Sequence, residues 1–427
     1  MNENISLKDS QIGFDGVVDE APLFSKAFPN ATFFTFNKRW CELSNRQNLL
    51  EDDIYSYQHQ CKFRYLKYAQ IDRLIGNDKH LYQKIYENAV TGIIKNNIKI
   101  YITSGAAYLY QFSVMEACED LGISHLSIFN IPANRASYMF SLGLGDRFYF
   151  GQSTKGIKIE FGEVFYSEFH YYNNAAPWKL YLKEFFSRTL QYAKEKTRQD
   201  YMTQFPSRQG LRYLKKFYRK KRMKVPSVNV NVVDIVIPLQ VIPEAAYDIL
   251  CSDLGEFSDA LIEIAKRYPK LVFGLREHPH MEGMRPKSFW TNLPQNMVKL
   301  DPLLKKEELL DGNNKILCFN STFFLESLKA GNPTCFLGNA FYGNFFKNHH
   351  IKISKLNNFV MHSEQFCCTH DKFIDFEARC SNSYEGLFTV CRSGFELDVL
   401  NQDNILKFRT NVLSFICDLE ENRIQEL

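Results

Sequence analysis

Val232-Val-Asp-Ile-Val-Ile-Pro-Leu-Gln240 decides the fold. Most of this stretch is β-branched and apolar, and it ends in a proline and an amide side chain. A strand covered on both faces reads this way, as strands do in a parallel sheet packed between helices. Working outward toward the carboxyl end, Glu256 to Arg267 places apolar residues at helical spacing, and Leu271 to His278 returns to a strand. Met297 to Leu300 and Lys315 to Asn320 are two further strands. Thr322 to Ala330 is a helix stopped by Gly331, and Pro333 to Leu337 is a last strand. Strand alternating with helix predicts an α/β body on a parallel sheet.

The amino-terminal half repeats the rhythm. Leu81 to Lys95 reads as a helix, Ile98 to Ser104 as a β-branched strand ending at Gly105, and Tyr108 to Leu121 as a helix closed by Gly122. His125 to Ile131 is the next strand. Between the halves, Trp178 to about Met223 is helical and increasingly basic. A break in sheet-forming sequence plus a charge run marks a domain junction. The chain therefore divides into 1–225, a domain ending in the basic segment, 226–400, a second domain, and 401–427, a carboxy-terminal helix. The expected class is α/β, with two Rossmann-like domains facing a cleft and ligands at the carboxyl ends of the strands.

Composition supports this and excludes other classes. At 427 residues the chain exceeds one ordinary domain, and 45% hydrophobic with 23% charged residues is a globular balance. Its 52 basic and 48 acidic side chains leave only +4, so no nucleic-acid partner is expected. No apolar run reaches the roughly 18 residues needed to cross a bilayer. The start, Met1 to Leu7, has neither a basic head nor an apolar stretch, and 11 scattered cysteines without a Cys-x-x-Cys pair fit reduced thiols. The expected location is cytoplasmic. Cys367-Cys368 with His370 lacks a second ligand pair at zinc spacing, and no metal is expected.

Four segments put polar residues at strand ends. The first runs from Ile237 to Gln240 and on to Glu244. The second is Arg276-Glu-His-Pro-His280, whose guanidinium and imidazoles suit a phosphate or carboxylate. It also reads as a basic surface loop. In the third, Cys318-Phe-Asn-Ser-Thr322, Asn320 and Ser321 end a strand and cap a helix, offering backbone N–H groups to an anion. Glu326, one turn on, can reach a ribose hydroxyl or simply meet solvent. The fourth, Gly338-Asn-Ala-Phe-Tyr-Gly343, offers Tyr342 and its neighbour as a wall for a base.

Together these segments resemble the bacterial capsular-polysaccharide β-Kdo transferases, the KpsC/KpsS-like capsule biosynthesis proteins. The shared elements are Pro238-Leu-Gln240, His278-Pro279, Ser321 to Glu326, Leu328 to Pro333 and Gly338 to Tyr342, over about a quarter of the chain. Ser104-Gly105, Phe129 to Pro132, Asn134-Arg135 and Leu142 to Gly145 match more loosely. The resemblance implies a GT-B-like fold with 1–225 as the acceptor-side domain and 226–400 as the nucleotide-sugar-binding domain, CMP-Kdo as donor substrate, a saccharide or glycolipid acceptor, and no cofactor or metal in the transfer. It implies a retaining mechanism through a carboxylate nucleophile, since two successive displacements at one carbon restore its configuration. Where the family has Asp, this chain has Glu244, with Asp248 and Asp234 as rivals. His278, His280 and the helix start at Ser321 and Thr322 would stabilise the leaving phosphate, Arg276 would hold the donor's carboxylate, and Gln240, Asn320, Glu326 and Tyr342 would line the nucleotide. Glu160 and Glu163 are candidate general bases.

Seven of the eleven residues from Leu214 to Lys224 are basic: Lys215, Lys216, Arg219, Lys220, Lys221, Arg222 and Lys224. They read as a solvated helix face or as a contact with an anionic membrane at the inner face of the inner membrane, each cation there worth roughly 1 kcal/mol.

Overall fold

The computed structural model describes residues 7–15, 21–35, 46–49, 60–66, 79–103, 109–131, 134–142, 147–149, 227–240, 251–278, 285, 287–301, 304–380, 384–385 and 400–420. The chain forms two compact units. One holds the described residues up to 149 and those after 378, the other those from 227 to 378. Both are α/β bodies on parallel sheets, the class the sequence predicts.

In the first unit β1 (Ile12–Asp15), β2 (Thr32–Thr35), β3 (Arg46–Asn48), β4 (Ile100–Thr103) and β5 (Ser124–Ile131) run parallel in the order β3-β2-β1-β4-β5. β6 (Asn134–Leu142) and β7 (Arg147–Tyr149) extend the sheet antiparallel beyond β5. The helices are α1 (Ala21–Ala27), α2 (Lys79–Lys95) and α3 (Leu109–Asp120). α3 is buried on nearly every side from Leu109 to Cys118, so it serves as a core element rather than a surface one. The fully buried carboxylate of Glu116 on α3 accepts the backbone N–H groups of Lys62 at 2.6 Å and Arg64 at 2.9 Å and the Tyr82 hydroxyl at 2.8 Å. It thereby ties the 61–66 segment to the sheet unit.

The chain returns to this unit near its end, which corrects the boundary expected at 400. Tyr384–Glu385 pairs antiparallel with β6. The helix Gln402–Glu420 is not an appendage of its own. Ile405, Phe408, Val412, Phe415 and Ile416, at helical spacing, join the core formed by Phe14, Phe24, Phe28, Phe33, Tyr138 and Phe140. Phe415 stacks on Phe140 at 4.4 Å and Phe408 on Phe24 at 5.3 Å. Arg409 donates two 2.8 Å bonds to the Asp9 carboxylate and one of 2.7 Å to the Ala27 carbonyl, with its guanidinium over Phe28. The motive force is apolar burial, at roughly 1.5–3 kcal/mol for each large side chain taken fully from water.

The second unit holds six parallel strands: β8 (Ser227–Val228), β9 (Ile235–Pro238), β10 (Phe273–Arg276), β11 (Met297–Leu300), β12 (Ile316–Cys318) and β13 (Thr334–Phe336). Their order is β13-β12-β9-β10-β11-β8. Every residue of β9 is buried, as its unbroken apolar run requires, and Pro238, which has no N–H to donate, is its last residue. α4 (Phe257–Arg267) buries Phe257, Ala260, Leu261, Ile264 and Ala265 against the core that contains Ile235, Phe273 and Leu317. Two short helices follow β11 and β12: α5 (Lys306–Leu309) and α6 (Phe323–Lys329). Gly331, at φ +84°, closes α6 in the left-handed conformation that glycine adopts without steric cost. Among the described residues no helix is long and apolar enough to cross a membrane.

Candidate functional site

From β9 the second sheet steps one way to β10 and β11, then crosses to the other side of β9 for β12 and β13. An open parallel sheet leaves a crevice at such a reversal, beyond the carboxyl ends of the two strands. Those ends are Pro238-Leu239-Gln240 and Cys318-Phe319-Asn320. The Gln240 amide donates to the Asn320 side-chain oxygen across the reversal. Two of the sequence-predicted residues therefore meet where the topology predicts a ligand.

Charge gathers beside them. Arg276 ends β10, and its guanidinium lies over the Phe323 ring at 5.3 Å. Phe323 is the first residue of α6, and Glu326 follows one turn later. Glu326 is held by Lys306 of α5 in an ion pair whose side chains are mostly covered. Burial first, and then the like charge of Arg276, act to lower the Lys306 pKa, with Glu307 opposing. Lys306 thus joins the site, although no motif in the sequence announces it.

A buried strut holds the two loops in place. Arg285 is 4% exposed; it donates through Nη2 to the Gln240 carbonyl and through Nε to Glu277 Oε1 at 2.8 Å. Its guanidinium also faces Phe289 at 4.9 Å and Phe257 at 5.6 Å. Glu277 Oε1 in turn accepts the backbone N–H of half-buried His278 at 3.1 Å. One arginine therefore links the segment after β9 to the segment after β10. Sequence reasoning passed over it because arginine is rarely buried unless paired, and its partner lies eight residues away.

The structure revises two expectations. Thr322 occupies the cap position of α6 with no side-chain bond to the helix, while Ser321 Oγ accepts the Phe323 N–H at 3.2 Å. That bond uses one lone pair of the Ser321 hydroxyl and leaves its proton to donate. Tyr342 is fully buried, stacked on Phe324 at 4.6 Å, with its hydroxyl donating to the Ser321 carbonyl at 2.9 Å. It braces the turn at the start of α6 from beneath, and half-buried Phe341 is the ring of that turn nearer the surface. Glu244, Asp248 and His280 lie outside the described residues, as do Glu160, Glu163 and the basic run Lys215, Lys216, Arg219, Lys220, Lys221, Arg222 and Lys224. Asp234 accepts the Val272 N–H at 2.7 Å, at the opposite end of β9 from Gln240. Among the described residues no group of three His, Cys, Asp or Glu side chains is placed to hold a metal ion.

The first sheet has a comparable reversal between β1 and β4. At its carboxyl edge the fully buried Asp15 receives on one oxygen the Thr103 hydroxyl at 2.9 Å, the Tyr110 hydroxyl at 3.0 Å and the Gln111 amide at 2.7 Å. Donors on three sides satisfy a carboxyl oxygen held away from water. The sequence reading did not single out Asp15, which ends a four-residue strand with no motif around it.

No family model and no curated protein matches the chain. Solved structures match the chain at low likeness. The beta Kdo 2,7 transferase KpsC of Thermosulfurimonas dismutans is 10% identical, with a TM-score of 0.36, over 86% of this chain and 89% of that one. A UDP-GlcNAc 2-epimerase from Neisseria meningitidis, bound to UDP-GlcNAc, is 11% identical, with a TM-score of 0.25, over 85% and 95%. The UDP-GlcNAc 2-epimerase of Methanocaldococcus jannaschii is 11% identical, with a TM-score of 0.22, over 95% and 99%.

Proposed function

We propose that this protein is a nucleotide-sugar-dependent glycosyltransferase that moves Kdo from CMP-Kdo to a saccharide or lipid-linked acceptor in surface polysaccharide synthesis. The observation that carries the reading is the bond between the Gln240 and Asn320 side chains across the reversal of strand order, with Arg276 and His278 at the neighbouring strand end and Glu326 on the helix that follows. For Gln240, Asn320 and Glu326 the motif resemblance implies contacts with the nucleotide, for His278 the leaving phosphate and for Arg276 the donor's carboxylate. Nothing in their sequence spacing requires the side chains of Gln240 and Asn320 to touch.

In the proposed reaction Glu244, or Asp248 in its place, attacks the anomeric carbon of Kdo. The carbon–oxygen bond to phosphate breaks, and CMP leaves as a monoester anion. His278, His280 and the segment at Ser321 and Thr322 stabilise that charge. The acceptor hydroxyl then displaces the carboxylate and gives its proton to a base, restoring the configuration at the carbon. The run from Lys215 to Lys224 would hold the enzyme at an anionic membrane carrying a lipid-linked acceptor.

The test is CMP release measured with CMP-Kdo, CMP-sialic acid and CDP-glycerol as donors, followed by mass spectrometry of any sugar–protein adduct. Release with CMP-Kdo alone and an adduct on Glu244 are expected. Preference for either other donor would reassign the enzyme to another nucleotide-activated transfer. No release and no CMP binding would leave a non-catalytic assembly protein.

A further inference from the structure

The Lys306–Glu326 pair joins α5 to α6, with side chains 21% and 16% exposed. A pair covered to this degree is weak evidence for stability, because desolvating both ions offsets much of their attraction. This one also sits beside a third charge. Arg276 has the same sign as Lys306 and lies over Phe323, which shares a face of α6 with Glu326 three residues on. The Glu326 carboxylate therefore compensates Lys306 beside a second cation, Arg276, at the carboxyl edge of the sheet. A dianion arriving there would do the same work with more charge and more acceptor oxygens.

We infer that Lys306 is a further anion-binding residue of this site, held by Glu326 until a phosphate-bearing ligand takes the carboxylate's place. The exchange frees Glu326 to accept hydrogen bonds from the ligand's ribose hydroxyls. The inference rests on the reading that this edge binds an activated nucleotide, and it adds the residue that binds phosphate and the contact that guards it. It makes the two partners of one ion pair act in opposite directions on a simple anion. Lys306 binds phosphate, whereas Glu326 competes with it.

Calorimetric titration of inorganic phosphate and of CMP separates these roles. Lys306→Met is expected to weaken both ligands at least tenfold. Glu326→Gln removes the competitor and is expected to tighten inorganic phosphate several-fold, yet not CMP, which loses its ribose contact. If wild type binds CMP and Lys306→Met binds it within twofold, the inference fails while the nucleotide reading stands. The inference also fails if phosphate affinity is unchanged in Glu326→Gln. If wild type binds neither ligand, the nucleotide reading falls and takes the inference with it. Lys306→Met leaves a carboxylate without its partner, so the double variant Lys306→Met/Glu326→Gln, with neither charge, serves if the single one does not fold. It is expected to bind both ligands as weakly as Lys306→Met, and wild-type affinity in it would overturn the proposal.

Discussion

Gln240 and Asn320 stand eighty residues apart in sequence and join side chains where the second sheet reverses its strand order. The bond couples the two strand ends that frame the crevice. Removing either partner is expected to weaken nucleotide binding, and removing both to cost less than the sum. A double-mutant cycle with Gln240→Ala and Asn320→Ala, read by CMP titration, should show a coupling of about 0.5–3 kcal/mol. Additive losses would mean that the two amides act independently.

Arg285 is the support most sensitive to substitution. Arg285→Met leaves the Glu277 carboxylate, 3% exposed, without its cation. Breaking a buried pair from one side costs about 3–5 kcal/mol, whereas replacing both ions by apolar groups is often close to neutral. Chemical denaturation should therefore show a large loss for Arg285→Met and recovery of most of it in Arg285→Met/Glu277→Leu. If the double variant is no better than the single, the pair is not the reason for the loss.

Tyr342 offers a smaller and cleaner test. Tyr342→Phe keeps the stack on Phe324 and deletes only the bond to the Ser321 carbonyl. The expected cost is about 1 kcal/mol, with slightly more because the carbonyl loses a partner away from water. Tyr342→Ala empties a core position and should cost about 3–5 kcal/mol, as large aromatic truncations do. Equal losses in the two variants would show that the ring contributes nothing.

His349 gives the second unit a pH dependence of known sign. Burial holds its imidazole below the ordinary value of 6.5, outweighing the bond from Nδ1 to the Thr334 carbonyl, which acts the other way. The unfolded chain therefore takes up the proton at higher pH than the folded one. The stability that His349 contributes is full above about 6.5 and is lost as pH falls toward the folded value. Thermal melts from about pH 7.5 to 5.5 should fall more steeply for wild type than for His349→Gln, because only wild type carries the titrating ring. Parallel slopes would exclude His349 as a source.

β9, β10, β12 and β13 were legible because a strand covered on both faces must be largely apolar, whereas the two-residue β8 was not. The expected Met297 to Leu300 strand coincides with β11, and Val232 to Gln240 narrows to Ile235–Pro238 only at its ends. β1 and β2 escaped notice because four residues such as Thr32-Phe-Phe-Thr35 are too few to show a period. Gln240, Arg276 and Asn320 were visible because each ends a recognisable strand. Lys306 and Arg285 were not, since their places depend on contacts that no local pattern encodes. The aromatic turn misled for a related reason. A tyrosine that buries both its ring and its satisfied hydroxyl has the same local sequence as one facing a ligand.

The helix Gln402–Glu420 has a consequence for biosynthesis. Phe408, Phe415 and Ile416 complete a hydrophobic core begun by Ile12 and Phe14, so that unit is finished only after the intervening 227–378 unit has been synthesised. The unit from 227 to 378 has all its strands available earlier and can mature first. A nascent chain stalled between them would expose the unfinished face of its amino-terminal half to chaperones, with its carboxy-terminal half already assembled.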